Sequence, residues 1–226
     1  MYVFLTNNAF VTITHGLANA FKKFFLKLQD HLLGQLIGHE FDANMHEEFT
    51  DSDQNSIHFV RSKIYSVQTC HIYYTSYDLQ RQCDTVSPHT HPDIILRSPV
   101  NEEGAEPYWY VRVLGIYHAH IWAENLVVPG ARNVRCMDFL WVHWFGKVPD
   151  YCSGFCRARL PTIGFIDSTD EFAFSFIDPA NVVRRCHLIP AFNAGQNADL
   201  LPWPHSIAQC LNPEDIYDWS YFYVNM

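Results

Sequence analysis

Two runs constrain this 226-residue chain more than anything else in it: YWYVRVLGIYHAHIW at 108–122 and MDFLWVHWFG at 137–146. Both are dense in β-branched and aromatic residues, which suit a pleated surface. Side chains of a strand alternate between its faces. Tyr110, Arg112 and Leu114 then point one way and Val111, Val113 and Gly115 the other, with Gly115 as the expected bulge or bend. In the second run Trp141 and His143 share one face, and Val142 and Trp144 share the other. One of those two faces must be core. The other is expected to meet an N-terminal helix or a partner rather than a ligand.

The remaining segments predict one clear helix and several shorter strands. Leu17, Phe21, Phe24, Leu28, Leu32 and Leu36 recur at three- and four-residue steps, so an amphipathic helix is expected over 17–37, stopped at Gly38. Residues 39–56 are acidic and turn-rich and read as a solvated linker. They carry His39, Glu40, Asp42, His46, Glu47 and Glu48, but neither a zinc-protease order nor calcium-loop spacing. A weak strand signal lies within 1–14. Residues 57–81 predict two strands, or a strand and its approach. Short strands are expected at 93–97, twice within 162–179 around an acidic turn, and over 181–192. The Pro-broken tail ends in an aromatic run and reads as an extended arm, without the polar fade-out of a natural terminus. Three stretches result: 1–85, a helix and strands packing on a β core; 86–195, that core; and 196–226, the arm.

Composition excludes several classes. Hydrophobic residues make up 48% and charged residues 17%, which excludes disorder of the whole chain. The 17 Phe, 12 Tyr and 6 Trp are more than one core needs, so some are expected to cover a protein partner or other domains of a longer parent. A net charge of −9 gives no whole-surface footprint for nucleic acid; the dense basic spots are Arg132–Arg135, Arg157–Arg159 and Arg184–Arg185. No window offers the ~20 apolar residues of a membrane span, and the start lacks the basic region of a signal peptide. Seven cysteines, an odd number, suit free thiols in a reducing compartment, so an intracellular and even nuclear location is expected.

Candidate chemistry is scattered. Cys152 and Cys156 lie four positions apart, wider than the usual zinc pair, and Cys136, Cys186 and His187 would have to complete the set in space. His118 and His120, at i and i+2, share a strand face, and His143 could join them if the strands align, with Glu124 as the nearest orienting carboxylate. Asp138, Asp167, Asp170, Glu171 and Asp178 could act as acid and base, yet most sit where Asp serves turns. Asp93, Glu124 and Asp138 are a thin basis for a metal-dependent nuclease. No nucleophile elbow, phosphate loop or dinucleotide motif occurs, and no cofactor is expected.

Four or five short strands with Gly/Pro loops between about 93 and 190 fit a small barrel or partly open sheet. The run YWYVRVLGI with the ending VHWFG resembles SH3-like barrels of the Tudor and BAH kind. That resemblance implies an aromatic cage for a methylated cation, with Tyr108, Trp109, Tyr110, Trp141, Trp144 and Phe145 as ring donors. Longer blocks, among them PYWYVRVLGIYHAHI, MDFLWVHWFG, FAFSFIDPANVVRRCHLIPAFNAG and DWSYFYVNM, resemble a segment recurring at the C-terminal end of transposable-element-linked proteins of mushroom-forming fungi. No catalytic residue comes with that resemblance. The expected fold is therefore α+β, mainly β: a small SH3-like or BAH-like barrel with an N-terminal amphipathic helix and a C-terminal extended arm. The expected function is a non-catalytic accessory or protein-interaction domain of a transposon-derived protein. A histone-tail reader and a degenerate metal-dependent nuclease are the alternatives.

Overall fold

The 16-residue strand β5 (Tyr108–Ala123) and the 13-residue strand β6 (Arg135–Lys147) form the spine of the molecule. They pair antiparallel from Tyr110 opposite Phe145 to Ile121 opposite Arg135. The register shifts between Val113 and Gly115, so a bulge stands where the sequence places it. A computed structural model describes residues 3–12, 19–38, 49–76, 78–98, 107–124, 133–148, 151, 159–197 and 218–225.

Neighbours on both edges extend this spine. Strand β2 (Ile57–Thr75) pairs up to Val67 with the second half of β5; β3 (Arg81–Val86) follows on that same side from Cys70 onward, and β1 (Val3–Thr12) runs along the other side. Within β2, Arg61 and Ser62 take left-handed backbone angles (φ 58° and 51°), where the register to β5 jumps between Phe59 and Ile64. Strand β4 (Asp93–Arg97) covers the first half of β5 and carries β9 (Val182–Arg185). On the far edge of β6 lie β7 (Thr162–Phe165) and β8 (Phe174–Ile177). Strand β13 (Phe222–Asn225) then sits between β7 and β10 (His187–Pro190). A small second ladder joins β11 (Gln196–Asn197) to β12 (Asp218–Trp219).

The α+β, mainly β character stands, and the barrel does not. The main path runs β1-β2-β5-β6-β7-β13-β10, and its end strands do not pair with each other. Closure requires a continuous hydrogen-bonded circuit with matched tilt and stagger. Here β5 and β6 are long enough to split each outer edge between two partners, so the sheet branches instead of closing. Of the expected arm, the final aromatic run supplies β13, hydrogen-bonded on both sides, and residues 198–217 lie outside the described residues.

Both faces of the spine are covered. On one, Val67, Cys70, Val86, Ile94, Leu96, Val111, Val113, Ile116, Leu140, Val142, Trp144, Ile177 and Val182 form a core. On the other, helix α1 (Asn19–Ile37) seats Leu28, Leu32, Leu33 and Leu36 against Ile121, Phe139 and Phe176. Leu17 and the Phe21 side chain, the first two residues of the expected stripe, lie outside what is described. The expected acidic linker contains a short helix, α2 (Asp51–Asn55), whose N-cap Thr50 accepts from the Asp53 amide. Gln29 on α1 donates to the Gln54 carbonyl at 2.8 Å and ties the two helices together. His39, Glu40, Asp42, His46, Glu47 and Glu48 lie outside the described residues. Among the described residues no helix is long and apolar enough to cross a membrane.

Candidate functional site

The six rings named from the sequence divide among three clusters. Trp141 packs under α1, edge-on to Phe24 at 4.9 Å and 4.6 Å from Phe176. Trp109 and Trp144 meet edge-to-face at 5.7 Å on the opposite face, and Trp144 Nε1 donates to Ser175 Oγ at 2.6 Å. Tyr108, Tyr110 and Phe145 share the third cluster with Ile163, Phe165, Phe222 and Val224. A cation already occupies that third group. The Arg112 guanidinium carbon lies 4.9 Å from the Phe165 centroid, 5.3 Å from Phe222 and 5.6 Å from Phe145.

Two carboxylates complete the surroundings of Arg112. It is 5% exposed. Its Nε and Nη2 donate to the two oxygens of Asp93 at 2.8 and 3.3 Å, and Nη1 donates to Asp218 at 2.9 Å. This forked pairing needs the planar guanidinium. Register explains the placement: Asp93 lies opposite Arg112 on β4, and His143 lies opposite it on β6. His143 is fully buried between the faces of Phe165 (4.6 Å) and Phe174 (4.3 Å), and Nε2 donates to the Ile166 carbonyl at 2.8 Å. Burial holds its pKa down at about 4, against the Ile166 bond and aided by Arg112. The imidazole of the aromatic run is therefore a sealed neutral spacer.

A different histidine pair converges with a cysteine. His118 and His120 project from one face of β5, as i and i+2 must. Across the ladder, His120 stands opposite Cys136 and His118 opposite Asp138. The ligand atoms of His118, His120 and Cys136 all lie within 4.8 Å of one another, with the histidines half-buried and the cysteine exposed. Tyr65, opposite His118 on β2, stacks on that imidazole at 4.9 Å with 6° between the planes, and meets His120 edge-on at 5.8 Å. His118 Nδ1 is covered and has no hydrogen-bond partner among the described residues. Burial lowers the His118 pKa, opposed by Asp138 and reinforced by His120. The Cys136 thiol is pushed up by burial and then by Asp138, whose own carboxyl is raised by burial.

The sequence places these three residues in separate sets. Cys136 stands there with Cys152, Cys156, Cys186 and His187, and the histidines with His143 and Glu124. Cys152 and Cys156 lie outside the described residues. Cys186 is buried in the third cluster beside Asp93, its thiol pushed up by burial, and His187 is exposed on β10 opposite Asn225. Asp93 faces Arg112 and Cys136 faces His120, so about eight strand positions, roughly 25 Å, separate the two cysteines' surroundings. Glu124 pairs with His58 at 3.6 Å. Asp167, Asp170 and Asp178 accept from the amides of Thr169, Phe172 and Ala180, the turn and cap roles their sequence context suggests. Asp138 stands among the acid–base and nuclease candidates of the sequence, not with the histidines, and Tyr65 has no signal of its own; only register brings the two to His118.

No protein-family model matches the chain, and no curated protein or solved structure is significantly similar to it. A BAH, Tudor or chromatin assignment has no support there, and the open sheet removes the barrel on which that resemblance rested.

Proposed function

We propose that this chain is a non-catalytic accessory domain, acting through contacts with a protein partner or with other domains of a longer, transposable-element-linked protein. One observation carries the reading. Among the described residues, the buried charge around Arg112 is closed on itself by Asp93, Asp218 and three phenyl rings. A site that performs acid–base or phosphoryl chemistry leaves such groups open to a substrate; here they join strands. The high aromatic content gives the sheet a wide apolar interior and leaves Phe192, Phe172 and Tyr221 partly at the surface.

Two measurements test this together. Purified protein is incubated with single- and double-stranded DNA and Mg²⁺ or Mn²⁺, and no cleavage above a heat-treated control is expected. Cross-linking mass spectrometry in cells that express the chain is expected to give recurrent links from one surface to one protein. Metal-dependent cleavage, or links spread evenly over surface and partners, would overturn the reading.

A further inference from the structure

We propose that His118, His120 and Cys136 form a binding site for one divalent transition metal ion of the zinc class, on the sheet face away from α1, with Asp138 as the carboxylate that positions His118. Two imidazoles and a thiol are a borderline-to-soft donor set. Hard ions such as Mg²⁺ and Ca²⁺ want oxygen ligands, and none of the three residues offers one. Donors around a tetrahedral ion stand roughly 3.3–3.8 Å apart, given bond lengths of about 2.0–2.3 Å. The three atoms already lie within 4.8 Å, so small side-chain rotations close the site.

The backbone prepares this arrangement before any ion arrives. The β5–β6 ladder fixes His120 against Cys136, and alternation brings His118 to the same face. Tyr65 holds the His118 ring flat against its own. Nδ1 of His118 is covered and has no hydrogen-bond partner among the described residues, and a bound ion at this cluster would give that ring one. Asp138 stands directly opposite His118 on β6, from where its carboxylate would orient that imidazole once an ion is bound. Three protein ligands leave a fourth position for water or another donor. This site is separate from the Arg112 network, so binding without turnover is compatible with the accessory reading.

The test is a Zn²⁺ titration of metal-free full-length protein by calorimetry, with bound metal counted after dialysis. One equivalent per chain is expected. His120→Ala and Cys136→Ser should each weaken binding at least 100-fold, and Asp138→Asn about 10- to 100-fold. Thermal melts of metal-free Cys136→Ser should match the parent, since that side chain is exposed. Co²⁺ provides a second readout: a thiolate-to-cobalt charge-transfer band in the parent, lost in Cys136→Ser and kept in Cys83→Ser and Cys152→Ser. No retained zinc, an unchanged affinity in Cys136→Ser, or loss of the band in Cys152→Ser instead would overturn the proposal.

Discussion

Arg112 reaches Asp218 across 106 residues of chain, Nη1 to Oδ2 at 2.9 Å, and so ties the middle of the sheet to the ladder that precedes its last strand. Asp93 holds the other side of the same guanidinium. Removing one member of a buried ion pair leaves the rest charged and uncompensated, at a cost of about 3–5 kcal/mol. Arg112→Met should therefore lower the unfolding free energy by about that much. Arg112→Lys should fall between, since it keeps the charge and loses the fork. Urea unfolding of both variants checks this. Losses below about 1 kcal/mol for Arg112→Met would mean that the pairs contribute little.

Gly164 on β7 marks a second tight approach. A Cβ there would come within 2.8 Å of the Tyr221 ring and 3.0 Å of the Ser220 carbonyl oxygen. The ring is partly exposed and can swing away, but the carbonyl belongs to the backbone leading into β13. Gly164→Ala should destabilise by about 1–3 kcal/mol, as overpacking does. Hydrogen exchange of the Phe222–Asn225 amides should accelerate more than that of β5. Equal protection in parent and variant would place β13 elsewhere.

His31 on α1 makes the fold acid-sensitive. Its Nε2 is covered, with no hydrogen-bond partner among the described residues. Burial outweighs the pull of Asp178 and lowers its pKa from 6.5 to about 4. The unfolded chain then binds a proton between pH 6.5 and 4 that the folded chain refuses. Stability from this group is complete above pH 6.5 and is lost progressively as pH falls toward 4. Between pH 7 and pH 5 the loss is roughly 2 kcal/mol. His143 adds the same slope in parent and variant alike, so the difference between parent and His31→Gln isolates His31. The gap between the urea midpoints at the two pH values should narrow in the variant, with the His143 share remaining; identical pH slopes in parent and variant would contradict the assignment.

Helix α1 was legible because its period is local: Leu28, Leu32 and Leu36 form a stripe without reference to any partner, and the structure buries all three with Leu33. The spans of β4 and β7–β8 and the bulge beside Gly115 were legible for the same reason. Strand order was not. The neighbours of β5 and β6 come from residues 57–75, 93–97 and 162–177, and β13 enters from the end of the chain. A barrel reading assumes that successive strands are neighbours, which topology only favours. The candidate site splits along the same line. Alternation gives His118 with His120, whereas Cys136 joins them only through a cross-strand register that no local pattern encodes.

The centre of the sheet is scaffold, and His143 reports on that most directly. A nitrogen-detected NMR titration of the selectively labelled histidines follows its protonation. A sealed spacer donating to Ile166 should hold the neutral Nε2–H form from pH 8 to pH 5 and take up a proton only near pH 4. A midpoint at or above 6.5, with the ring exchanging between tautomers, would show an open, working imidazole and contradict the account.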